Sequence, residues 1–368
     1  MTLPPRPKAL GSLRHVLASA LQSVTGERST LGYKPKRKVL VILVDGMGAE
    51  NVVERAGHAP WLAQQINSGS QSYAAFPATT STNITSLATG LVPGEHGFIG
   101  HVVRDRHFGI ELNLLSGWDA STDPARWQPH LTISEQSAAR GVACNVIAAE
   151  EYRDTGFTRA TMRRAEFHGV DSISDRFQKA LEILNSAQDS ITYLYISELD
   201  KFGHVHGWQS PGWALQLESI ASEIDWLRAK LPADCGVIVT ADHGMLDSPE
   251  EFKVELKDQL SGIGLSFLGG DTRAALVYLE NSATAADALK QLSDARFFSV
   301  HLASELASWY GELGPQAQNR SADLVLLAKG QHTLFHQEFS KPRSYRMVAH
   351  HGAMTSRELK IPLIRIGL

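Results

Sequence analysis

The sequence predicts an α/β fold in which a mostly parallel central sheet is covered by helices on both faces, with a smaller inserted subdomain. Residues 39–44 form a continuously apolar run rich in β-branched side chains. Runs of the same kind recur at 191–196 and 236–240, and amphipathic helical segments precede both of these. Apolar runs without alternation are typical of strands buried on both faces, as in a parallel sheet between helices. Strands that alternate with helices indicate an open, mostly parallel sheet.

The first 36 residues are expected to form an N-terminal helical extension. They contain a lead-in rich in Pro and Arg, one amphipathic segment at 10–24, and a linker of Gly, Lys and Pro residues. Because an amphipathic helix buries one apolar stripe, we expect this helix to pack on the outside of the main domain, residues 37–368.

Amphipathic helices are predicted before the second and third strands. Their apolar side chains follow the spacing of one helix face. These side chains are Ile173, Phe177, Leu181 and Leu184 in the first helix, and Trp213, Leu217, Ile220, Ile224, Leu227 and Leu231 in the second. A further helix–strand pair is predicted where the capping-box pattern of Thr132 and Glu135 precedes a strand at 142–148.

A more polar and loop-rich stretch, at about 246–325, is predicted to form the small inserted subdomain or cap. It contains candidate strands at 273–279 and 297–300 and candidate helices at 285–292 and 302–310. The apolar run at 322–327 predicts a late strand after this excursion.

Composition limits the partners. The 368 residues are 43% hydrophobic and 20% charged, which is typical of a soluble globular protein with a sizeable core. The net charge of −4 gives no electrostatic reason to expect nucleic acid or an anionic membrane as a partner.

The N-terminus lacks the apolar core of a signal peptide and no later run is long enough to span a bilayer, so a cytoplasmic location is expected. Cys144 and Cys235 each lie in a strand-like run and are expected to be buried thiols.

One stretch, residues 76–90, is dense in hydroxyl side chains. Seven Ser or Thr residues lie between positions 79 and 89, after Pro77 and before Gly90. Pro77 interrupts any preceding helix, and Thr80 or Ser81 is expected to be the N-cap of a helix that runs to position 89. A hydroxyl group there lies where the free N–H groups of a helix start would hold a phosphate oxygen. Because such turns are common, this segment alone does not identify a catalytic residue.

Acidic and histidine residues follow three of the predicted strands and recur in a late loop. They are Asp45, Asp200 with His204, Asp242 with His243, and His350 with His351. The carboxyl ends of parallel strands meet at one edge of a sheet, where ligands bind. Asp, His and hydroxyl oxygen are suitable ligands for zinc. With three or four ligands for each ion, these residues would bind two metal ions. Such a pair of ions holds the attacking and leaving oxygens in phosphoryl transfer.

Each of these signals also has an ordinary structural explanation. An Asp after a strand is commonly an N-cap or turn residue, and so is an Asp-His-Gly turn. Asp200 and His204 could form an ion pair across one helical turn, and His350 and His351 could be solvent-exposed loop residues. All four explanations holding together is much less probable than any one of them, so the joint pattern favours a metal site.

The order of these motifs resembles the alkaline phosphatase superfamily and, within it, the type I phosphodiesterases/nucleotide pyrophosphatases. The resemblance extends from about residue 39 to residue 363. Phe76-Pro77 lies three residues before Thr80 and Thr89 lies nine after it, which matches the family's placement of its nucleophilic threonine. Residues 91–97, Leu-Val-Pro-Gly-Glu-His-Gly, resemble the segment that follows that helix in the family.

The resemblance implies two divalent metal ions, expected to be zinc with manganese as the alternative. One ion would be held by Asp200, His204 and His351, and the other by Asp45, Asp242, His243 and the oxygen of Thr80. Thr79 is the rival nucleophile and His350 the rival ligand, and the register against Gly90 and Gly352 disfavours both. His206 would orient a ligand.

The resemblance also implies a metal-dependent hydrolase of phosphate esters. The expected activity is that of a phosphodiesterase/nucleotide pyrophosphatase with a covalent phospho- or nucleotidyl-threonine at Thr80. The alternatives are a phosphomonoesterase, a phosphonate hydrolase or a non-catalytic metal-binding member. The substrate would be a small phosphate ester, with a nucleotide as one candidate.

The sequence departs from the family at one phosphate contact. His101 occupies the position of an Asn that contacts the substrate phosphate in secreted members. Either His101 or Asn83 is therefore expected to make this contact. Arg273 is a further candidate for the phosphate, although a structural ion pair is the favoured interpretation.

Overall fold

The computed structural model describes residues 3–368. These residues form seventeen strands: β1 (Lys38–Val44), β2 (Gln71–Tyr73), β3 (Val102–Asp105), β4 (Ile110–Asn113), β5 (Ala143–Ala148), β6 (Glu166–Gly169), β7 (Ser190–Ile196), β8 (Cys235–Thr240), β9 (Leu246–Asp247), β10 (Lys253–Glu255), β11 (Leu265–Asp271), β12 (Ala274–Leu279), β13 (Phe298–Leu302), β14 (Leu324–Ala328), β15 (Thr333–Phe335), β16 (Ala349–His350) and β17 (Lys360–Ile366).

The same residues form sixteen α-helices, besides short 3-10 turns: α1 (His15–Thr25), α2 (Ala49–Glu54), α3 (Pro60–Asn67), α4 (Thr80–Thr89), α5 (Pro93–His96), α6 (Pro124–Trp127), α7 (Ile133–Ala139), α8 (Gly156–Thr161), α9 (Ile173–Asn185), α10 (Glu198–His206), α11 (Pro211–Ala229), α12 (Ala285–Leu292), α13 (Ala307–Tyr310), α14 (Pro315–Arg320), α15 (Pro342–Tyr345) and α16 (Ser356–Leu359).

The central sheet has seven strands in the order β2-β17-β8-β1-β7-β5-β6. The five strands from β8 to β6 pair in parallel, and β17 and β2 are added antiparallel at one side. All seven residues of β1 are buried. Since successive side chains of a strand point to opposite faces, both faces of the sheet are covered at this strand. The predicted α/β fold with a mostly parallel central sheet is therefore confirmed.

The N-terminal helix packs directly against the central sheet. A 3-10 turn at Ser12–Arg14 leads into α1, which contacts β1 and β7. The helix ends at Gly26, which takes the left-handed conformation with φ of 74°. A left-handed residue after the last turn favours glycine because it carries no Cβ. The helix begins about five residues later than the 10–24 pattern predicts, because residues 12–14 form the 3-10 turn.

A second sheet has six strands, in the order β13-β14-β12-β11-β3-β4, and includes strands from the 246–325 stretch. All its pairings are antiparallel. Its strands come from beyond the predicted 246–325 stretch, because β3 joins at Gly270 and β14 pairs with β12. The predicted helix at 285–292 is α12, whereas the segment at 302–310 forms a 3-10 turn followed by the short α13.

None of the helices in the described part of the chain is both long enough and apolar enough to cross a bilayer. Cys144 is half-buried, Cys235 is buried, and both are free thiols.

Candidate active site

Three neighbouring parallel strands, β8, β1 and β7, end at one edge of the central sheet. Asp45 directly follows β1, Asp242 lies two residues after β8, and Asp200 lies in the first turn of α10, which follows β7. Register places the ends side by side, since Leu43 pairs with Thr240 and Val44 pairs with Ile196. The three carboxylates are buried together at this edge.

Asp200, His204 and His351 form one group of possible metal ligands. His204 Nε2 lies 3.1 Å from Asp200 Oδ2, and His351 Nε2 lies 4.0 Å from Asp200 Oδ1. One potential ligand atom from each residue lies within 4.8 Å of the others. Asp200 and His204 meet because residues four apart lie on the same face of α10.

The second group surrounds His243. Its Nε2 lies 3.3 Å from Asp45 Oδ1, 3.6 Å from Asp242 Oδ2 and 3.1 Å from Thr80 Oγ1. The imidazole ring of His243 stacks on that of His351 with centroids 3.7 Å apart, so the two groups adjoin. A carboxylate oxygen of Asp200 also lies within reach of the second group, between the two sets.

In each of the three histidines, Nδ1 lies beside a backbone carbonyl oxygen. His204 Nδ1 lies 2.8 Å from the Ala349 carbonyl oxygen, and His351 Nδ1 lies 2.8 Å from that of Ala78. His243 Nδ1 lies 3.3 Å from the carbonyl oxygen of Gly244. In the neutral tautomer whose Nδ1–H donates to the carbonyl oxygen, the lone pair of Nε2 is directed at the carboxylates. This arrangement is typical of histidines that bind metals.

The carboxylates fit a cationic occupant. Asp45 Oδ1, Asp200 Oδ1 and Asp242 Oδ2 are buried, and none of them makes a hydrogen bond within residues 3–368. A buried carboxylate oxygen without a hydrogen-bond partner is costly unless a cation compensates its charge. Carboxylate, imidazole and hydroxyl groups together suit divalent ions, zinc in particular.

The pKa values of the acidic groups differ sharply within this edge. Burial, followed by the charges of Asp242 and Asp200, raises the pKa of Asp45 well above its ordinary value. Burial and the charge of Asp200 raise the pKa of Asp242 to about 7. Burial also opposes ionisation of Asp200, but the neighbouring imidazole of His204 outweighs it and lowers the pKa of Asp200. In return, Asp200 overcomes the burial of His204 and raises its pKa to about 9.

Thr80 is the first residue of α4, with its N-cap at Thr79 instead of at Thr80 or Ser81 as predicted. All ten residues of α4 are buried, and Thr80 Oγ1 faces the cavity beside the two ligand groups. The segment before the helix is fixed by two bonds to the late loop, Ala78 N–H to the Gly352 carbonyl and His351 Nδ1 to the Ala78 carbonyl. The first N–H groups of a helix lack intrahelical acceptors, so they are available to an anion beside Thr80.

The rival residues lie outside the cavity. The Thr79 hydroxyl is fully buried. His350 is turned away, with Nδ1 2.9 Å from Thr272 Oγ1 and Nε2 3.3 Å from the Met347 carbonyl. His206 is exposed and its ring packs on Phe202, so the expectation that it orients a ligand is corrected.

Asn83 is corrected as a phosphate contact. Its Nδ2 donates to the carbonyl groups of Ala75, Pro77 and Thr79, and its Oδ1 accepts the Ala75 N–H. The side chain is fully buried and holds the turn before α4, which leaves no amide group for a substrate. His101, by contrast, lines the cavity.

The cavity at this edge has a volume of about 840 Å³, which is the size of a site for a nucleotide or similar small molecule. The sequence interpretation missed one contact at this edge. Tyr195 Oη donates to Asp45 Oδ2 at 2.5 Å. The available signal was the alternation of Tyr193 and Tyr195 at the end of an otherwise apolar strand.

Comparison with known proteins supports one family. Residues 39–354 match the family model described as type I phosphodiesterase/nucleotide pyrophosphatase. This match covers both ligand groups, Thr80 and the late loop.

Two curated relatives carry the same kind of description. An uncharacterized pyrophosphatase/phosphodiesterase of Schizosaccharomyces pombe is 24% identical over 56% of this chain and 44% of its own length. Ectonucleotide pyrophosphatase/phosphodiesterase family member 5 of Homo sapiens is 22% identical over 67% of this chain and 53% of its own length. The chain thus spans about half the length of the curated relatives that it matches.

A solved structure shows the same fold. Murine ectonucleotide pyrophosphatase/phosphodiesterase 5, as an inactive threonine-to-alanine variant in complex with AMP, superposes with a TM-score of 0.69 at 19% identity. The superposition covers 89% of this chain and 87% of the murine chain.

Proposed function

We propose that this chain, which belongs to the type I phosphodiesterase/nucleotide pyrophosphatase family, hydrolyses phosphodiester or pyrophosphate bonds with Thr80 as its nucleophile. The observation that carries the proposal is the position of the Thr80 hydroxyl. The hydroxyl lies at the start of a buried helix, 3.1 Å from His243, beside three carboxylates that each have one buried oxygen without a hydrogen bond in the described chain.

The residues divide into two proposed ligand sets. Asp200, His204 and His351 would hold one divalent ion, and Asp45, Asp242, His243 and Thr80 the other. When bound, such ions lower the pKa of the attacking hydroxyl and offset the charge that develops on the phosphate. We propose zinc as the ion, with manganese as the alternative that metal reconstitution would reveal.

Thr80 acts in two steps. Its oxygen forms a bond to phosphorus and its proton is lost to solvent, while the bond from phosphorus to the leaving oxygen breaks and the electron pair departs with that oxygen. Water then attacks the phosphorus, the bond to Thr80 breaks, and the threonine hydroxyl is restored. We propose that the N–H groups at the start of α4 and His101, which lines the cavity, bind the non-bridging oxygens.

The size of the cavity favours a diester or pyrophosphate over a simple monoester. At about 840 Å³ it has room for a nucleoside on one side of the phosphate and a second group on the other. The murine relative of the same fold binds AMP, which supports a nucleotide as the part of the substrate that is transferred.

The test is an assay of purified protein with bis-p-nitrophenyl phosphate and p-nitrophenyl phosphate, after metal removal and after addition of zinc or manganese. We expect turnover only with metal and a higher kcat/KM for the diester. Faster turnover of the monoester would favour a phosphomonoesterase, and no metal-dependent turnover of either would overturn the proposed hydrolase.

Substitution of the nucleophile gives the sharper prediction. Thr80→Ala removes the attacking oxygen, so we expect kcat for the diester to fall by about 10³-fold or more. The matched control is Thr79→Val at the preceding position, whose hydroxyl is buried outside the cavity and which should retain wild-type turnover. Equal losses in both variants, measured on folded protein, would contradict the assignment of Thr80.

A further inference from the structure

We infer that Asn113 is a positioning residue that acts through His101. Its side-chain amide fixes the imidazole of His101 as the tautomer that carries its proton on Nδ1, so that His101 presents an N–H donor to a phosphate in the cavity. This role goes beyond the proposed function but rests on it, because the donor matters for turnover only where a phosphate binds beside Thr80. The sequence interpretation did not single out Asn113.

The orientation of the Asn113 amide is fixed by the chain that follows it. Its Oδ1 accepts the backbone N–H groups of Leu115 and Ser116, at 3.0 and 3.1 Å. Only the oxygen of an Asn side chain can close such a turn, because the amide nitrogen does not accept hydrogen bonds. The atom that faces His101 is therefore Nδ2, which lies 2.9 Å from His101 Nε2.

This contact assigns the proton of the imidazole. Because Asn113 Nδ2 only donates, His101 Nε2 has to accept with its lone pair. The proton of the neutral ring is then on Nδ1, and a further proton on Nε2 would place two donors against each other. Burial, which outweighs the opposing charge of the nearby Asp271 carboxylate, lowers the pKa of His101 and so also favours the neutral ring.

The Nδ1 side of His101 is free for a ligand. Within residues 3–368, the one hydrogen bond of the His101 side chain is that from Asn113. Nδ1 is not among the buried polar atoms, and the ring lines the same cavity as Thr80. The donor that Asn113 creates is therefore available to an oxygen of the substrate.

The backbone fixes His101 relative to the nucleophile. Ser81, the residue after Thr80, donates from Oγ to the Gly100 carbonyl at 2.9 Å. On the other side, the His101 carbonyl accepts the Leu114 N–H at 2.9 Å, which continues the pairing of β3 with β4. His101 thus lies between the start of α4 and the strand end that carries Asn113.

The tautomer decides whether His101 attracts or repels a phosphate. An Nδ1–H group donates to a non-bridging oxygen, whereas the other neutral tautomer would direct a lone pair at an oxygen that already carries negative charge. A donor that is fixed before the substrate binds also needs no rearrangement during the reaction. Asn113 therefore supports the proposed reaction by selecting the tautomer of His101.

Nitrogen-15 NMR of the full chain, labelled in its histidines, tests the tautomer directly. We expect the His101 signals, identified by their loss in His101→Asn, to show a protonated Nδ1 and an unprotonated Nε2. In Asn113→Asp, one carboxylate oxygen can keep the bonds to Leu115 and Ser116 while the other faces Nε2 as an acceptor, so Nε2 should gain a proton. A wild-type His101 that is protonated on Nε2 would overturn the inference.

His168 provides the reference for the opposite tautomer in the same spectrum. Its Nε2 lies 3.0 Å from Asn145 Oδ1, so the asparagine oxygen accepts and Nε2 carries the proton. The His168 signals, identified by their loss in His168→Gln, should be the same in wild type and in Asn113→Asp.

Kinetics with bis-p-nitrophenyl phosphate and zinc test the consequence. Asn113→Leu removes the amide without adding a charge, so we expect kcat/KM to fall by about 5-fold or more. In the His101→Asn background, where an amide supplies an N–H that depends on no tautomer, the same substitution should change kcat/KM by less than about 2-fold. Asn145→Leu, beside His168 and outside the cavity lining, is the matched control and should keep the wild-type value.

Equal losses from Asn113→Leu in the two backgrounds would overturn the inference, because Asn113 would then act independently of His101, and the proposed function would stand. If the wild-type protein with metal turns over no phosphate ester, the proposed function fails. The NMR signals then decide separately whether Asn113 sets the tautomer of His101.

Discussion

Two regions of this molecule bury carboxylates to a similar depth but differ in the partners of the carboxylate oxygens. At the active-site edge, oxygens of Asp45, Asp200 and Asp242 are buried without a hydrogen bond in the described chain. In the region of the second sheet, Asp105 and Glu358 are each paired with a buried arginine.

The paired carboxylates are fully satisfied. Arg320 Nε donates to Asp105 Oδ2 at 2.9 Å, and the other oxygen of Asp105 accepts two backbone N–H groups. Arg273 makes two bonds to Glu358, at 2.8 and 3.1 Å, and also donates to two carbonyl groups. This agrees with the interpretation of Arg273 as a structural ion pair. Since Arg273 lies between β11 and β12 and Glu358 lies in α16 next to β17, the pair joins the two sheets.

The contrast distinguishes groups that stabilise the fold from groups that we propose bind metal. Burial alone does not separate the two sets. The two sets differ in whether both oxygens of each carboxylate have a hydrogen-bond partner in the described chain, because a buried oxygen without a partner costs stability that ligand binding can offset.

The largest effect that would test this contrast is expected at the structural pair. Glu358→Gln leaves Arg273 buried without its counter-ion, so we expect the free energy of unfolding to fall by about 3–5 kcal/mol, with or without zinc. Urea denaturation measures it. Asp225→Asn, in an exposed ion pair with Arg228, is the control and should change stability by less than about 1 kcal/mol. Similar small effects from both variants would remove the contrast.

At the active-site edge, a substitution is expected to raise the free energy of unfolding of the metal-free protein instead of lowering it. Asp242→Asn removes a buried charge, so the metal-free variant should be more stable than the metal-free wild type at neutral pH, whereas zinc should stabilise the wild type more.

The pH dependence follows from the pKa of Asp242, which is raised to about 7 in the folded protein. An acid with a raised folded-state pKa favours folding at low pH, and this contribution is lost as pH rises from about 4 to about 7. Between pH 5 and pH 8, the stability advantage of metal-free Asp242→Asn over wild type should therefore grow by about 2 kcal/mol. An advantage that shrinks with rising pH would contradict the assignment.

The smallest expected effect is on zinc affinity, and it concerns the one oxygen of Asp45 that does have a hydrogen bond. Tyr195 Oη donates to Asp45 Oδ2 and so fixes the orientation of a proposed ligand. Tyr195→Phe should weaken zinc binding by about 10-fold, measured by competition with a chelating dye, with little loss of stability. Tyr193→Phe is the matched control, since the neighbouring Tyr193 hydroxyl is buried without a hydrogen bond in the described chain. Equal zinc affinity in the two variants would show that the bond to Asp45 does not position the ligand.

Much of the fold could be predicted from the sequence because its signals are local. Continuous apolar runs predict buried strands, and three of the central strands were placed in this way within two residues of their observed ends. The capping box of Thr132 and Glu135 at the start of α7 is present as predicted. The convergence of Asp45, Asp200 and Asp242 also follows, since parallel neighbouring strands end at one edge.

Other features were not predictable because they depend on partners distant in the sequence. Asn83 has a side-chain amide that could bind a phosphate, but this amide is hydrogen-bonded to the backbone of the turn at 75–79. The second sheet takes β3 and β4 from the first third of the chain, and no local pattern indicates that pairing.

The sequence by itself determined the helices and strands and the kinds of polar side chain that follow them, since hydrophobic periodicity and turn chemistry act over a few residues. The tertiary structure alone decided which polar groups remain free to bind. Thr80 and Asn83 lie three residues apart in one hydroxyl-rich stretch, yet Thr80 Oγ1 lies 3.1 Å from His243 Nε2, whereas the Asn83 amide is bonded to the backbone of residues 75–79. The physical reason is that hydrogen bonds and ion pairs are settled by packing between distant segments, and a group is available to a ligand only where packing leaves it unpaired.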